Sequence, residues 1–519
     1  MQKRWALAVL FVVAGFLRLY NLGYSDYQGD EIKALYNSKE ATSVKFFLEQ
    51  RKGPMQFLVT AGLNSISRDY RNRALVRLPF ALAGLGSVIV FYYLSKSILN
   101  EKIAFYSSIF FATNGFLIAF SRIVQYQSLV IFFGLLSVYL TRKYIDSLHS
   151  RLLVLASISL AISILSHYDG VFFIPIILGL LYPSFRQDQR HVLKLFIIPT
   201  LLFLALTCVF YIPFALNIAQ STADYWVGRI SGDVSSKISS SRYLFSVYQP
   251  IYVLHIYTIL GIVGFGFITL VTLYKIFPKM LGKLLSHIYQ LDVFKGAHSP
   301  FSLSTLVSVF AWFLIPFILL EVFIYIPGTH IYAYLIPTFL FMGFAIFYAD
   351  LVGRKILNKL PFSIVVTSVT MVAVWVLFIF LTLQSYYVFV DHDYEYPWEN
   401  KKFLIWTLPK PTPIFHLSMF GFPYYRHWDE IGDYIRLDKK SQFYTTNERV
   451  SISRYHIVLE KAGGKVGYYV YIKNPQTFTN EVTNTRINAW MQNSSPVMQY
   501  KNQDRVVSEI YLVNSPFIL

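Results

Sequence analysis

The sequence predicts an α-helical polytopic membrane protein with about eleven transmembrane helices, followed by a small α/β domain. Of its 519 residues, 55% are hydrophobic, 18% are aromatic and only 14% are charged. Soluble domains contain about 25% charged residues, so this composition excludes an ordinary soluble protein. Long apolar runs recur between residues 5 and 388, and the segment that follows has none of comparable length.

The apolar runs predict the membrane-spanning helices. About 20 helical residues cross the hydrocarbon core of a bilayer, which is roughly 30 Å thick. The predicted spans are 5–19, 75–94, 103–119, 126–140, 152–165, 171–182, 192–216, 251–274, 303–325, 331–349 and 362–388. Several are short for a full crossing, 171–182 above all, so the predicted count carries a margin of one or two helices.

The distribution of Lys and Arg predicts the orientation, because short cytoplasmic loops carry an excess of both. Basic residues cluster in alternate loops, from Lys3 and Arg4 at the amino terminus to the segment 275–295. The short loops 167–170 and 327–330 contain neither Lys nor Arg. We therefore expect a multi-pass plasma-membrane protein with a cytoplasmic amino terminus. The net charge of +18 reflects this topology and attraction to anionic lipids, so the expected partner is the bilayer and not nucleic acid.

Two outer loops are too long to be simple connectors. The first, 21–77, places apolar residues at helical spacing and is expected to lie along the membrane surface. The second, 217–250, is rich in Ser and Gly and contains Trp226 and Arg229, a composition typical of a flexible loop or lid.

Residues 1–390 are therefore assigned to a transmembrane domain and 391–519 to an extracytoplasmic α/β domain. Within the second domain, helical and alternating patterns follow one another. The predicted elements are helices at 428–437 and 450–460 and strands at 443–446, 466–473 and 506–513.

Asp30 and Glu31 are adjacent acids in the first outer loop, and they are the candidate catalytic residues. A carboxylate at a helix start beside the membrane can accept a proton from an acceptor hydroxyl as a general base. The alternative is a helix cap, in which Asp30 binds free backbone N–H groups and contributes about 0.5 to 2 kcal/mol.

The order of several motifs resembles that of the GT-C glycosyltransferases, specifically the protein O-mannosyltransferase and ArnT-like group (glycosyltransferase family 39-like). The likeness spans residues 1–350. It rests on Asp30-Glu31, Lys52-Gly53-Pro54, Arg77-Leu78-Pro79, Ser121-Arg122 and Thr329-His330-Ile331-Tyr332. The resemblance implies the GT-C fold and an inverting transfer of a monosaccharide from a polyprenyl-phosphate donor. The transfer would take place on the extracytoplasmic face, to a lipid, glycan or protein acceptor.

The resemblance also implies roles for individual residues. Asp30 would be the general base, and Glu31 would orient either Asp30 or the sugar. Lys52, Arg122, His330 and Tyr332 would bind the donor phosphate, whose negative charge grows as it leaves. Two positions depart from the family pattern: Gly53 separates Lys52 from the proline, and His330 stands where relatives often have Lys. For Arg122, an interfacial residue with no role in the site is the alternative.

His167 and Asp169 form a second constellation in a tight outward turn. An ionisable pair at membrane depth is usually functional, so the pair is a candidate to contact substrate or, together with Asp30 or Glu31, to hold a divalent metal. The alternative is that Asp169 caps the following helix. The sequence contains no metal motif and requires no cofactor, and it leaves open whether the protein binds a divalent metal.

Three other classes of protein compete with this interpretation. An oligosaccharide ligase or oligosaccharyltransferase-like enzyme would use a lipid-diphosphate donor and often a metal. A transporter of lipid-linked glycans would place ionisable residues inside its helices and show internal repeats. A structural or assembly protein would not need eleven spans with acids in the first loop.

Overall fold

The structure is a computed structural model that describes residues 2–36, 44–187, 189–232, 254–281, 301–357, 363–393, 395–398, 402–404, 406–407, 421–438, 440–463, 465–477 and 481–514. It has two parts: a large bundle of mostly apolar helices and a small domain built on a mixed β-sheet. This architecture confirms the predicted fold class of a polytopic helical protein with a small carboxy-terminal sheet domain.

The helices of the first part coincide with all eleven predicted spans. In chain order they are α1 (Gln2–Leu19), α2 (Gly29–Ile32), α3 (Val44–Glu49), α4 (Met55–Asn64), α5 (Arg73–Ile98), α6 (Glu101–Thr113), α7 (Gly115–Ser121), α8 (Gln127–Ser147), α9 (Ser150–Ser166), α10 (Ile174–Gln187), α11 (Gln189–Leu216), α12 (Gln220–Ser231), α13 (Leu254–Ile276), α14 (Leu303–Ile318), α15 (Tyr332–Leu357) and α16 (Ser363–Phe389). Short 3₁₀ turns at Tyr168–Phe173 and Gly328–Ile331 precede α10 and α15.

Among the described residues, eight helical segments are long and apolar enough to cross a membrane, and nine if the bent pair α6 and α7 forms one span. The other two predicted spans are shorter or more charged. Helix α9 has 17 residues, and the 18 residues of α1 include Lys3, Arg4 and Arg18. The chain is a multi-pass membrane protein.

Close helix packing holds the bundle together. Helix α8 packs on α9 and α5, and α15 packs on α6 and α13. At Gly264 of α13, a Cβ atom would lie 1.7 Å from the carbonyl oxygen of Phe341 in α15, so only glycine permits this approach. Between helices in lipid the hydrophobic driving force is missing, and small residues at such contacts allow close van der Waals packing instead.

The bend of 60° between α6 and α7 interrupts a helix inside the bundle. Asn114 caps α7 by accepting the N–H of Leu117, while Arg18 donates to the carbonyl of Ala112 at 2.9 Å. Ser385 donates to the carbonyl of Thr113 at 2.6 Å. Because the bilayer offers no water to freed backbone groups, these contacts allow the break and direct α7 toward the loop 122–126.

The two outer loops differ from their predictions in detail. In the first, the helical spacing corresponds to three separate helices, α2, α3 and α4. In the second, residues 220–231 form the helix α12 and not a flexible loop. Most of that loop, 233–250, lies outside the described residues.

The carboxy-terminal domain is an α/β unit built on a five-stranded sheet. Its elements are α17 (Trp428–Asp438), β3 (Phe443–Thr446), α18 (Val450–His456), β4 (Glu460–Lys461), β5 (Gly467–Ile472), α19 (Glu481–Gln492), β6 (Met498–Asn502) and β7 (Arg505–Val513); β1 (Lys402–Phe403) and β2 (Trp406–Thr407) form a separate hairpin. The strand order in the sheet is β4-β3-β5-β7-β6. Strand β3 is parallel to β4 and β5, and β7 is antiparallel to β5 and β6. The helix predicted at 450–460 was too long, since Ile457 adopts an extended conformation and β4 follows.

Backbone contacts hold this domain against the first outer loop. The N–H of Asp26 donates to the carbonyl of Tyr424 at 3.1 Å, and the N–H of Arg426 donates to Asp26 Oδ2 at 2.6 Å. Arg73 at the start of α5 pairs with Asp26 at 2.9 Å and also with Asp429 of α17. The sheet domain is therefore attached to the loop between α1 and α5.

Candidate active site

A cavity of about 1500 Å³ lies between the helix bundle and the sheet domain. Among the predicted site residues, Asp30, Lys52, His167 and His330 line this cavity. Its wall on the sheet-domain side includes Asp429, Asp433, Arg436, Arg454 and His456. Four of the eight predicted residues, from loops more than 100 positions apart, therefore share one chamber.

Asp30 presents an accessible carboxylate to the cavity. Its side chain is 38% exposed, and Oδ1 lies 3.7 Å from Lys33 Nζ. The residue at the N-cap position of α2 is Gln28, whose N–H donates to Glu31 Oε2 at 3.0 Å. Capping therefore falls to Gln28 and Glu31, and the helix-cap alternative for Asp30 is wrong.

Glu31 points away from the cavity into a buried ion pair with Arg77. Arg77 donates to both carboxylate oxygens, from Nε to Oε1 and from Nη2 to Oε2, each at 2.9 Å. The backbone N–H groups of Gln28 and Val124 fill the remaining acceptor positions at 3.0 Å. The side chains of Glu31 and Arg77 are only 1% and 2% exposed, so of the two predicted roles this geometry agrees with orienting Asp30 and not with orienting the sugar.

Arg77 ties the first outer loop together with its remaining donors. Nη1 donates to the carbonyls of Leu22 and Ser25, and Nη2 donates to the carbonyl of Asp26, all at 3.0 Å. All five guanidinium N–H groups are therefore used. This fixed loop is what holds α2, and with it Asp30, at the edge of the cavity.

Arg122 does not line the cavity. Its Nη1 donates to the carbonyls of Leu17 and Tyr20 at 3.0 and 2.9 Å, and its side chain is 7% exposed. Arg122 thus binds the free carbonyls at the C-terminal end of α1, where the helix dipole favours a cation. Its guanidinium group therefore faces the end of α1 and not the cavity that Lys52 and His330 line.

Lys52 reaches the cavity in spite of the inserted glycine. At Gly53 a Cβ atom would lie 1.9 Å from the carbonyl oxygen of Leu165, so glycine lets the loop pass against the end of α9. Lys52 Nζ donates to Gln125 Oε1 at 2.8 Å and lies 5.3 Å from the ring centre of Tyr126. Burial lowers the pKa of Lys52 to about 8, against the opposing effect of the Asp30 charge.

Gln125 joins the two groups and was not predicted. Its Nε2 donates to the backbone carbonyl of Asp30 at 2.7 Å, while its Oε1 accepts from Lys52. The side chain is 3% exposed, so both bonds are held in a fixed geometry. A single amide therefore links the backbone of the candidate base to the ammonium group of Lys52. No sequence signal marks this residue.

Asp169 forms the centre of a second buried cluster. His330 Nδ1 lies 2.7 Å from Asp169 Oδ2, and the hydroxyl of Tyr332 donates to the same oxygen at 2.7 Å. His167 Nδ1 lies 3.1 Å from Asp169 Oδ1 and accepts the backbone N–H of Asp169 at 3.2 Å. His167 and Asp169 therefore bind His330 and Tyr332 in one cluster. Neither Asp30 nor Glu31 belongs to this group of possible metal ligands among the described residues. His167, and not Asp169, caps the 3₁₀ turn that follows.

Arg229 is a further cation of the cavity that was given no role from sequence. It lies on α12, where Nε donates to the carbonyl of Ile326 at 3.0 Å and Nη1 donates to the hydroxyl of Tyr225 at 2.9 Å. Nη1 also approaches His330 Nε2 at 3.4 Å. Arg51 stacks over the Tyr225 ring at 4.2 Å, so two guanidinium groups flank one tyrosine. The spacing of four between Tyr225 and Arg229 was the available signal.

Comparison with known proteins identifies the fold. The family model for dolichyl-phosphate-mannose-protein mannosyltransferase matches residues 51–214, which is less than half of the chain. No curated protein sequence matches the chain. The chain superimposes on ArnT from Cupriavidus metallidurans with a TM-score of 0.51 and 12% identity, covering 97% of both chains.

Two further structures agree with this result. ArnT from the same organism bound to undecaprenyl phosphate matches with a TM-score of 0.50 and 11% identity, again over 97% of both chains. The oligosaccharyltransferase of Archaeoglobus fulgidus, tethered to an acceptor peptide, matches with a TM-score of 0.51 and 9% identity. That match covers 91% of this chain and 69% of the other. The chain therefore has the fold of the GT-C superfamily of membrane glycosyltransferases, and the recognition from motif order is confirmed at this level.

Proposed function

We propose that this protein transfers a monosaccharide from a polyprenyl-phosphate donor to an acceptor on the extracytoplasmic face of the plasma membrane. One observation carries the proposal: Gln125 binds the backbone carbonyl of Asp30 and the half-buried ammonium group of Lys52, and both residues line one large cavity. Displacement at the anomeric carbon of a sugar phosphate requires a base that accepts the proton of the acceptor and a cation that stabilises the leaving phosphate. The match to ArnT bound to undecaprenyl phosphate supports a lipid-linked donor.

The transfer proceeds as a single displacement. Asp30 accepts the proton of an acceptor hydroxyl, and the acceptor oxygen forms a bond to the anomeric carbon of the sugar. The bond from that carbon to the phosphate oxygen breaks, and its electron pair leaves with the polyprenyl phosphate. Attack opposite the leaving group inverts the configuration at the anomeric carbon.

The cations of the cavity stabilise the leaving phosphate. Lys52, Arg51 and Arg229 line the part of the cavity formed by the helix bundle, together with His330. Fixed positive groups aimed at a developing negative charge lower the barrier without reorganising. Tyr332 is 1% exposed and donates to the Asp169 oxygen that His330 also contacts, so we assign it to holding Asp169 and not to the phosphate.

An oligosaccharide ligase with a lipid-diphosphate donor is the second candidate. The volume of the cavity favours it, because about 1500 Å³ exceeds the roughly 300 to 1,000 Å³ of an ordinary ligand pocket. The fold match to an oligosaccharyltransferase agrees with this candidate. Both candidates share the same base and cations and differ in the donor.

The test offers both kinds of donor to membranes that contain the protein. Radiolabelled polyprenyl-phosphate monosaccharides and polyprenyl-diphosphate oligosaccharides are supplied separately, and loss of label from the lipid fraction is measured. Turnover of a monophosphate donor supports the proposal, and turnover of diphosphate donors alone supports the ligase. Equal turnover in membranes that lack the protein would overturn both.

The variant Asp30→Asn assigns the base. Loss of general-base catalysis is expected to lower kcat by about 10²- to 10⁴-fold while donor binding persists. Asp146→Asn is the matched control, since Asp146 is 40% exposed and pairs with Arg142 at the far end of α8. Its turnover should equal that of the unchanged protein.

A further inference from the structure

The proposed transfer gives no role to His167 or Asp169, which form a buried cluster with His330. His167, Asp169 and His330 each offer one ligand atom, and these atoms lie within 4.8 Å of one another. The three side chains are 4%, 2% and 12% exposed. Two imidazoles and one carboxylate in a shielded position are a donor set typical of Zn²⁺ and related transition metals.

The ligand side chains are held in place by their neighbours. The His167 ring stacks on Tyr126, with ring centres 4.1 Å apart and an angle of 11° between the planes. Tyr332 donates its hydroxyl to Asp169 and so orients the carboxylate. Such supporting contacts are what fix the ligands of known metal sites. The three side chains are therefore held in position by protein contacts alone, before an ion binds.

We propose that His167, Asp169 and His330 form a binding site for a divalent transition-metal ion, with Zn²⁺ as the best chemical fit. The two histidines line the cavity, which gives an ion a route from solvent and leaves room for a further, exchangeable ligand.

An ion at this site changes the hydrogen bond between His330 and Arg229. The guanidinium group is a permanent donor, so Nε2 of His330 accepts from it and Nδ1 carries the ring proton. When Nδ1 binds a metal, that proton moves to Nε2 and faces the Arg229 donor. The contact between them, already long at 3.4 Å, breaks, while Tyr225 and Ile326 still hold the guanidinium group. Metal binding is therefore expected to remove the contact between His330 and Arg229.

The metal site does not depend on the proposed function, because no step of the transfer is assigned to the ion. Its test therefore uses no donor and no acceptor. The purified, detergent-solubilised full chain is treated with a chelator, dialysed, and titrated with ZnCl₂ by calorimetry, with the bound zinc counted by mass spectrometry. We expect one zinc ion per chain.

Three variants assign that ion to the cluster. Asp169→Asn removes the ligand charge and should abolish the high-affinity zinc, whereas His149→Gln, at an exposed position before α9, should retain it. Tyr332→Phe leaves all three ligands and should weaken zinc binding by about 10- to 100-fold. Thermal melting without metal shows whether each variant is folded.

Each outcome decides the proposal. No bound zinc in the unchanged protein, or equal zinc in Asp169→Asn and the unchanged protein, would overturn it and leave a hydrogen-bonded cluster in its place. If Asp169→Asn fails to fold, Tyr332→Phe and the Co²⁺ spectrum of the unchanged protein decide: absorption bands of a nitrogen- and oxygen-ligated ion support the site, and their absence overturns it. A negative donor assay with positive zinc binding would refute the function and keep the site.

Discussion

Glu31→Gln should separate the two adjacent acids, which resemble each other in sequence and differ in structure. The carboxylate of Glu31 accepts four N–H bonds, two from Arg77 and two from the backbone. An amide keeps one acceptor oxygen and turns an NH₂ group toward donors. Arg77 then stays buried without a counter-charge.

The expected loss of stability follows from this geometry. Removing one partner of a buried ion pair costs about 3 to 5 kcal/mol, because the remaining charge is left uncompensated. Arg77 keeps its bonds to three carbonyls, which favours the lower part of this range. Activity should fall as well, since the loop that holds Asp30 loosens.

The assay compares Glu31→Gln with Asp30→Asn in thermal unfolding and in donor turnover. Glu31→Gln should lower the melting temperature by several degrees, and Asp30→Asn should leave it unchanged because that carboxylate is partly exposed. Both variants should lose turnover. Equal melting temperatures for Glu31→Gln and the unchanged protein, together with lost turnover, would refute a structural role and return Glu31 to the catalytic residues.

Three other predictions concern the Lys52 wall of the cavity. Turnover should fall as the pH rises through about 8, because Lys52 loses the proton that makes it a phosphate-binding cation; Lys52→Arg should move this fall to higher pH, and a pH–rate profile without it would contradict the assignment. Gln125→Leu removes both hydrogen bonds of the Gln125 amide and should lower kcat by about tenfold or more. Gln125→Glu places a negative charge beside Lys52 and should raise the pH at which activity is lost. An unchanged kcat and an unchanged pH–rate profile would show that this amide does not position the site. Gly53→Ala should destabilise the chain in thermal unfolding, since its Cβ would collide with the Leu165 carbonyl, and an unchanged melting temperature would refute that contact.

The membrane architecture was predictable because length and apolarity act locally. Every predicted span coincides with a helix, since a run of apolar residues in a bilayer has few alternatives to helix formation. The bend at Asn114 was not predictable in the same way. It depends on Arg18 and Ser385, whose side chains bind the freed carbonyls from distant helices.

The site was predictable as a set of chemical groups and less so as a set of contacts. Sequence marked Asp30 and Glu31 equally, and their roles divide because adjacent residues of a helix point in different directions and Arg77, 46 positions away, meets only one of them. His330 likewise meets Asp169 across 161 positions. Such partners arise from the fold, and no local pattern announces them.

The most direct test of the account is the donor turnover of Asp30→Asn measured beside that of Asp146→Asn in the same membranes. The account predicts that Asp30→Asn binds a polyprenyl-phosphate monosaccharide and releases almost no sugar, while Asp146→Asn releases it at the rate of the unchanged protein. Undiminished release by Asp30→Asn would contradict the assignment of the base and, with it, the proposed mechanism.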